Sequence, residues 1–65
     1  MHAKINTLPD CPWCERAKIL MAAFGIRYTE LDGKADNWPT VPYIEIDGEA
    51  VGGFSEFSQF CRNLK

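Results

Sequence analysis

The sequence predicts an α/β fold in which a four-stranded mixed sheet carries two helices. Three observations point there. Apolar and polar residues alternate at Ala3–Leu8 and again at Pro42–Asp47, the period of a half-buried strand. Between them Ala17, Leu20, Met21 and Phe24 recur at helical spacing. Asp47-Gly48 then separates two short strand-like segments, which is the dipeptide of a tight hairpin.

Each element follows in order. Ala3–Leu8 is the first strand and Leu8-Pro9-Asp10 a turn. A helix begins with Cys11 at its cap and Pro12 at its first position, where a missing N–H costs nothing. Gly25 is its left-handed stop. Arg27–Leu31 is a second strand. Asp32–Thr40 has Asp, Gly, Asn and Pro without helical periodicity and reads as a loop. Pro42–Asp47 and Glu49–Gly52 form the hairpin. A last helix starts near Ser55, with Phe54, Phe57, Phe60, Cys61 and Leu64 on its apolar side. The first two strands are expected to be parallel through a right-handed crossover. Met21 is expected as core filler and Cys61 as a packed core thiol.

Residues 1–65 are expected to form one domain. A domain of this size buries only ~60% of its unfolded surface, and the 46% of hydrophobic residues suffices for a single core. The formal net charge of −2 offers no basic footprint for nucleic acid. No apolar run reaches the ~18 residues of a membrane span. Met1-His2-Ala3-Lys4 is followed by no long apolar segment, so a cytoplasmic location is expected.

Three cysteines are an odd number for a disulfide scaffold. Cys11-Pro12-Trp13-Cys14 is a lone close pair after a strand and at a helix start, and each feature has a chemical use. The nucleophile in disulfide exchange is the thiolate. Free N–H groups and partial positive charge at a helix N-terminus favour an anion there. Cys11 is therefore expected to titrate within the ~3.5–7.5 range of such sites. Cys14, one turn on, can reach Cys11, close a disulfide and release a mixed-disulfide partner. Pro12 stiffens the turn, and Trp13 offers an aromatic face beside the thiols. Two rival readings are a pair of structural thiols and a zinc site. Zinc wants four ligands, usually in two separated pairs, and only His2 and Cys61 remain as candidates. Asp32, Asp36, Asp47 and Glu49 are too scattered for a calcium loop and read as solvated charges.

With Thr40-Val41-Pro42 and Gly52-Gly53 added to the cysteine pair, nearly the whole chain resembles the glutaredoxins of the thioredoxin fold, most of all short viral and bacterial ones. The resemblance implies a cis Val41–Pro42 bond beside Cys11 and Cys14, with the Val41 backbone pairing with substrate. It implies that Gly53, Phe54 and Ser55 receive the γ-glutamyl end of glutathione, in a groove that also includes Pro12, Trp13, Thr40, Val41 and Pro42. Glutathione would be a cosubstrate, with no bound cofactor. The partners implied are glutathione and disulfide-containing proteins, ribonucleotide reductase among them, served by a monomer. The rivals are a redoxin reduced by thioredoxin reductase, and a dimer bridging an iron–sulfur cluster through Cys11 and glutathione.

The chain departs from the family pattern in three places. Many members carry a lysine three residues before the first cysteine, where Leu8 stands here. Many have a basic residue shortly before Thr-Val-Pro, where Asn37, Trp38 and Pro39 stand. Both groups help hold the carboxylates of glutathione. The family also has a helix between its second and third strands, for which Gly33–Val41 is too short. The fold expected is thus a minimal thioredoxin-like one. Its connection spans ~10 Å across the sheet, and nine residues extend to ~30 Å. One sheet face should then lack a helix and expose Lys4, Asn6 and Glu45. Trp38 has two open places, on that face or at the edge of the site.

Overall fold

A computed structural model describes residues 1–64. The elements are β1 (His2–Thr7), α1 (Pro12–Ala23), β2 (Arg27–Asp32), β3 (Tyr43–Ile46), β4 (Glu49–Gly52) and α2 (Phe54–Arg62). The sheet order is β2-β1-β3-β4. β1 runs parallel to β2 and antiparallel to β3, which pairs antiparallel with β4. Element ends lie within two residues of the sequence reading, except that Leu64 falls beyond α2 and is exposed. No helix among the described residues is long and apolar enough to cross a membrane.

Both helices cover one face of the sheet. Ala3 and Ile5 of β1 and Ile44 and Ile46 of β3 meet Ala17 and Met21 of α1 and Phe57 and Cys61 of α2 in one core. Ile26 joins them, although its place between helix and strand carries no periodic signal. It is recruited by the end of α1. Gly25 takes φ +69°, its N–H donates to Ala22 O, and the N–H of Ile26 donates to Met21 O at 2.9 Å. This paired closure turns the residue after the glycine back onto the helix. In the hairpin, Asp47 and Gly48 have φ of +51° and +85°. Two positive values in a two-residue loop match the right-handed twist of the strands, and glycine adopts the second without steric cost.

The other face has no helix. Lys4 is exposed there, and Asn6 and Glu45 are half-buried. Tyr43 is the exception to an open face, at 2% exposure. The loop after β2 crosses this side and lays Trp38 on Tyr43, with ring centroids 5.7 Å apart. Asn37 Nδ2 donates to Tyr43 Oη at 3.0 Å, and Tyr43 Oη donates to Glu45 Oε2 at 3.1 Å. Two loop side chains thus shield Tyr43 on a face that carries no helix.

On the helix face, buried Thr7 donates its hydroxyl to Glu30 Oε2 at 2.8 Å. Lys18 bridges the same oxygen at 3.2 Å and Glu15 at 2.7 Å. The Thr7 hydroxyl, and then Lys18, hold the Glu30 carboxyl below its ordinary range. A depressed carboxylate stabilises the fold above its unfolded pKa, and that stabilisation is lost as pH falls through the folded value. Thr7→Val should therefore raise the Glu30 titration toward the ordinary range. Side-chain carboxyl NMR across acid pH measures it directly; an unmoved titration would mean that Lys18 alone sets the value.

Candidate active site

The turn from β1 into α1 delivers the cysteine pair. Asp10 takes φ +58°, a conformation its short polar side chain tolerates. Cys11 follows as the extended N-cap of α1, with Pro12 at the first helical position. Cys11 and Cys14 form a disulfide with their Cα atoms 5.2 Å apart. The backbone N–H of Cys14 donates to Cys11 Sγ at 3.2 Å. An unpaired N–H of the first helical turn thus points at the sulfur of Cys11, where negative charge would reside after reduction. The two residues differ in access: Cys11 is partly exposed, whereas Cys14 is 1% exposed. An outside sulfur can meet the first and not the second. That asymmetry suits one cysteine to attack and the other to resolve. Cys11 and Pro12 line a shallow recess with Asp10 and Glu15.

Apart from Pro12, the remaining substrate-site residues singled out in the sequence converge on a separate groove of about 340 Å³. Trp13 and Phe54 line it, with ring centroids 5.2 Å apart. So do Thr40, Val41 and Pro42, and the Val41–Pro42 bond is cis. Gly53 and Ser55 supply the start of α2. Pro12 stays outside this groove, on the recess with Cys11. The register of β3 and β4 shifts by one residue between Ile44 and Glu45, leaving Val51 as a bulge. Such an extra residue bends a strand, and here it precedes Gly52 at φ +122°. A Cβ at Gly52 would approach Glu56 Cγ to 3.0 Å, so this corner requires glycine on two grounds.

The sequence leaves Trp38 two places, and two further groups, Glu56 at the groove and Arg16 beside Trp13, escaped the sequence reading. Trp38 lines the groove while also covering Tyr43, so both places considered for it are occupied at once. Glu56 lines it and accepts the Gly53 N–H at 2.9 Å. The spacing of a cap residue and a glutamate three later was a readable sign of that bond. Arg16 sets its guanidinium carbon 4.8 Å from the Trp13 ring centroid, an i, i+3 neighbour on α1. Neither Leu8, which is 42% exposed, nor Lys34 lines the groove, and among the described residues its one charged lining residue is Glu56.

The other candidates lie elsewhere. Cys61 is 1% exposed in the core, and burial pushes its thiol pKa up, both of which keep it unreactive. The His2 ring nitrogen Nε2 is 2.8 Å from Thr29 Oγ1, at the far end of β1 from the cysteines.

No family model matches the chain. Over 63 aligned residues it is 36% identical to glutaredoxin 3 of Escherichia coli strain K12, a match covering 80% of this chain and 76% of that protein. Its fold superposes with a TM-score of 0.85 on the crystal structure of glutaredoxin 1 from Francisella tularensis complexed with cacodylate, at 26% identity over 97% of this chain and 94% of that one. The crystal structure of a buckwheat glutaredoxin–glutathione complex gives a TM-score of 0.83 over 97% of this chain and 70% of that one. At 22% identity that last likeness is one of fold.

Proposed function

The chain belongs to the glutaredoxin family, and from that membership we propose that it is a glutathione-linked dithiol oxidoreductase in which Cys11 attacks and Cys14 resolves. The observation that carries the roles is the pairing of a partly exposed Cys11, whose sulfur accepts a helix N–H, with a buried Cys14 one turn behind it. In the first step the Cys11 thiolate attacks one sulfur of a substrate disulfide. A new S–S bond forms, and the other substrate sulfur leaves as a thiol after taking a proton. In the second step Cys14, losing its proton, attacks Cys11 Sγ. The substrate thiol is released and the Cys11–Cys14 disulfide remains. Two glutathione molecules then return the pair to dithiol and leave as glutathione disulfide. This cycle needs a reducing thiol pool, which supports a cytoplasmic setting.

Glutathione is proposed to lie in the groove by backbone recognition. The Val41 main chain extends a sheet edge to its peptide. Gly53 N–H is taken by Glu56, but the N–H groups of the next three residues precede the first helical hydrogen bond, Phe57 N–H to Gly53 O. They are free to meet the γ-glutamyl carboxylate. The glycyl carboxylate finds no cation in the lining among the described residues. A hydrogen bond to a charged group contributes ~1.5–3 kcal/mol, so binding should be about ten- to a hundredfold weaker than with that cation in place. Leu8→Lys is expected to lower the glutathione concentration giving half-maximal turnover. No change, with native use already tight, would place the cation elsewhere.

The same missing cation favours a second reading, in which thioredoxin reductase regenerates the dithiol and ribonucleotide reductase is a recipient of electrons. Parallel assays with 2-hydroxyethyl disulfide decide between them, one coupled through glutathione and glutathione reductase, the other through thioredoxin reductase. Turnover in the first supports the proposal. Turnover confined to the second replaces it, and turnover in neither removes both.

A further inference from the structure

We propose that Trp38 is a specificity-determining residue, which with Trp13 makes the groove a receptor for an uncharged, apolar side chain next to the cysteine of a substrate protein. The inference rests on the dithiol reading above and names the substrate class of that site.

Three observations converge on it. The first is position. Trp13 lies between the two cysteines in sequence and is 52% exposed. Trp38 arrives from a different part of the chain to line the same groove. A peptide whose cysteine has reached Cys11 meets Trp13, two residues along the chain, and through it the groove that Trp38 also lines. The second is rigidity. Trp38 rests on Tyr43, 5.7 Å away and tilted by 33°. Its neighbour Asn37 is hydrogen-bonded to the hydroxyl of that same tyrosine, which Glu45 holds in turn. On its other side Trp38 packs close to the glycine pair. A Cβ at Gly52 would lie 3.2 Å from Trp38 Cη2, and one at Gly53 3.7 Å from Nε1. A ring already held in place gives apolar contact without an ordering cost at binding. The third is charge. Among the described residues the lining has one charged side chain, the carboxylate of Glu56. An acidic side chain in the groove finds no cationic side chain among those residues and meets this carboxylate, so only uncharged donors, backbone N–H groups among them, can receive it, whereas an apolar side chain is unaffected. The loop that replaces a helix thus contributes an indole wall and no cation.

The test uses the reduced protein in single turnover, so the identity of the physiological reductant does not enter. Its substrates are the disulfide dimers of two capped tripeptides, one with phenylalanine beside its cysteine and one with aspartate. Release of peptide thiol is followed by chromatography. The native protein should react faster with the phenylalanine peptide. Trp38→Ala should reduce that preference by about three- to tenfold, the range of a lost aromatic contact. Trp38→Phe should keep most of it, and Trp38→Lys should shift it toward the aspartate peptide. The readout is the ratio of rates, so a variant that is slower on both peptides is still informative. An unchanged ratio in Trp38→Ala and Trp38→Lys overturns the inference, as does a native protein without preference. Failure of the native protein to reduce even 2-hydroxyethyl disulfide would be a different result. It would remove the dithiol reading itself, and the inference with it.

Discussion

Cys11→Ser is expected to lose all disulfide reductase turnover, whereas Cys14→Ser should still attack substrate and then stall as a mixed disulfide. The difference follows from the helix start. The Cys14 N–H is directed at Cys11 Sγ, so the Cys11 thiolate is the one stabilised by the first turn of α1. A serine hydroxyl remains protonated there and cannot form a disulfide. Cys14 is 1% exposed, so its part is confined to an intramolecular attack on a sulfur already bound to Cys11. Intact-mass analysis after exposure to glutathione disulfide separates the two variants: no adduct on Cys11→Ser, and one persistent adduct on Cys14→Ser. Alkylation of the reduced native protein at mildly acidic pH adds an independent check. Cys11 should be modified first. Cys61 should be modified last, being buried and with its thiol pKa raised by that burial. Faster labelling of Cys14 than of Cys11 would reverse the assigned roles.

Phe57→Ala should destabilise the protein by about 3–5 kcal/mol, enough to unfold it if its total stability lies at the low end for its size. Phe57 is fully buried and joins α2 to the strand residues Ile5 and Ile44 and to Met21 of α1. Truncating a buried phenylalanine costs ~3–5 kcal/mol. A chain of 65 residues, at roughly 0.05–0.15 kcal/mol per residue, has only about 3–10 kcal/mol in total. The substitution therefore removes from a third to all of the stability. The first turn of α2 also supplies Gly53, Phe54, Ser55 and Glu56 to the groove, so the groove should be lost along with the helix. Urea denaturation followed by far-ultraviolet circular dichroism measures the effect. A loss below about 1 kcal/mol would show that α2 is held mainly by other contacts, since core truncations of this kind ordinarily cost several times more.

What could be read before folding was whatever is decided within a few neighbouring residues. The Cys11 cap, Pro12 at the first helical position and the Asp47-Gly48 turn are local backbone preferences, and each stands where its preference places it. The one-sided sheet was legible because a strand of period two declares which of its faces lies away from the core, as in Lys4 against Ile5, Ile44 and Ile46, although Asn6 and Glu45 on that face are half-buried rather than exposed. The cis bond before Pro42 is a different case: family likeness implied it, and backbone preference alone does not. Tertiary structure alone decided the features that bring distant segments together. Tyr43 is buried on an otherwise helix-free face because the loop chose a path across it. Trp38 belongs to the groove because that path ends beside Gly52 and Gly53. Thr7 and Lys18 meet on Glu30 because β1, α1 and β2 are packed together there. None of these contacts leaves a periodic trace, since each depends on where an irregular segment or a long side chain comes to rest in space.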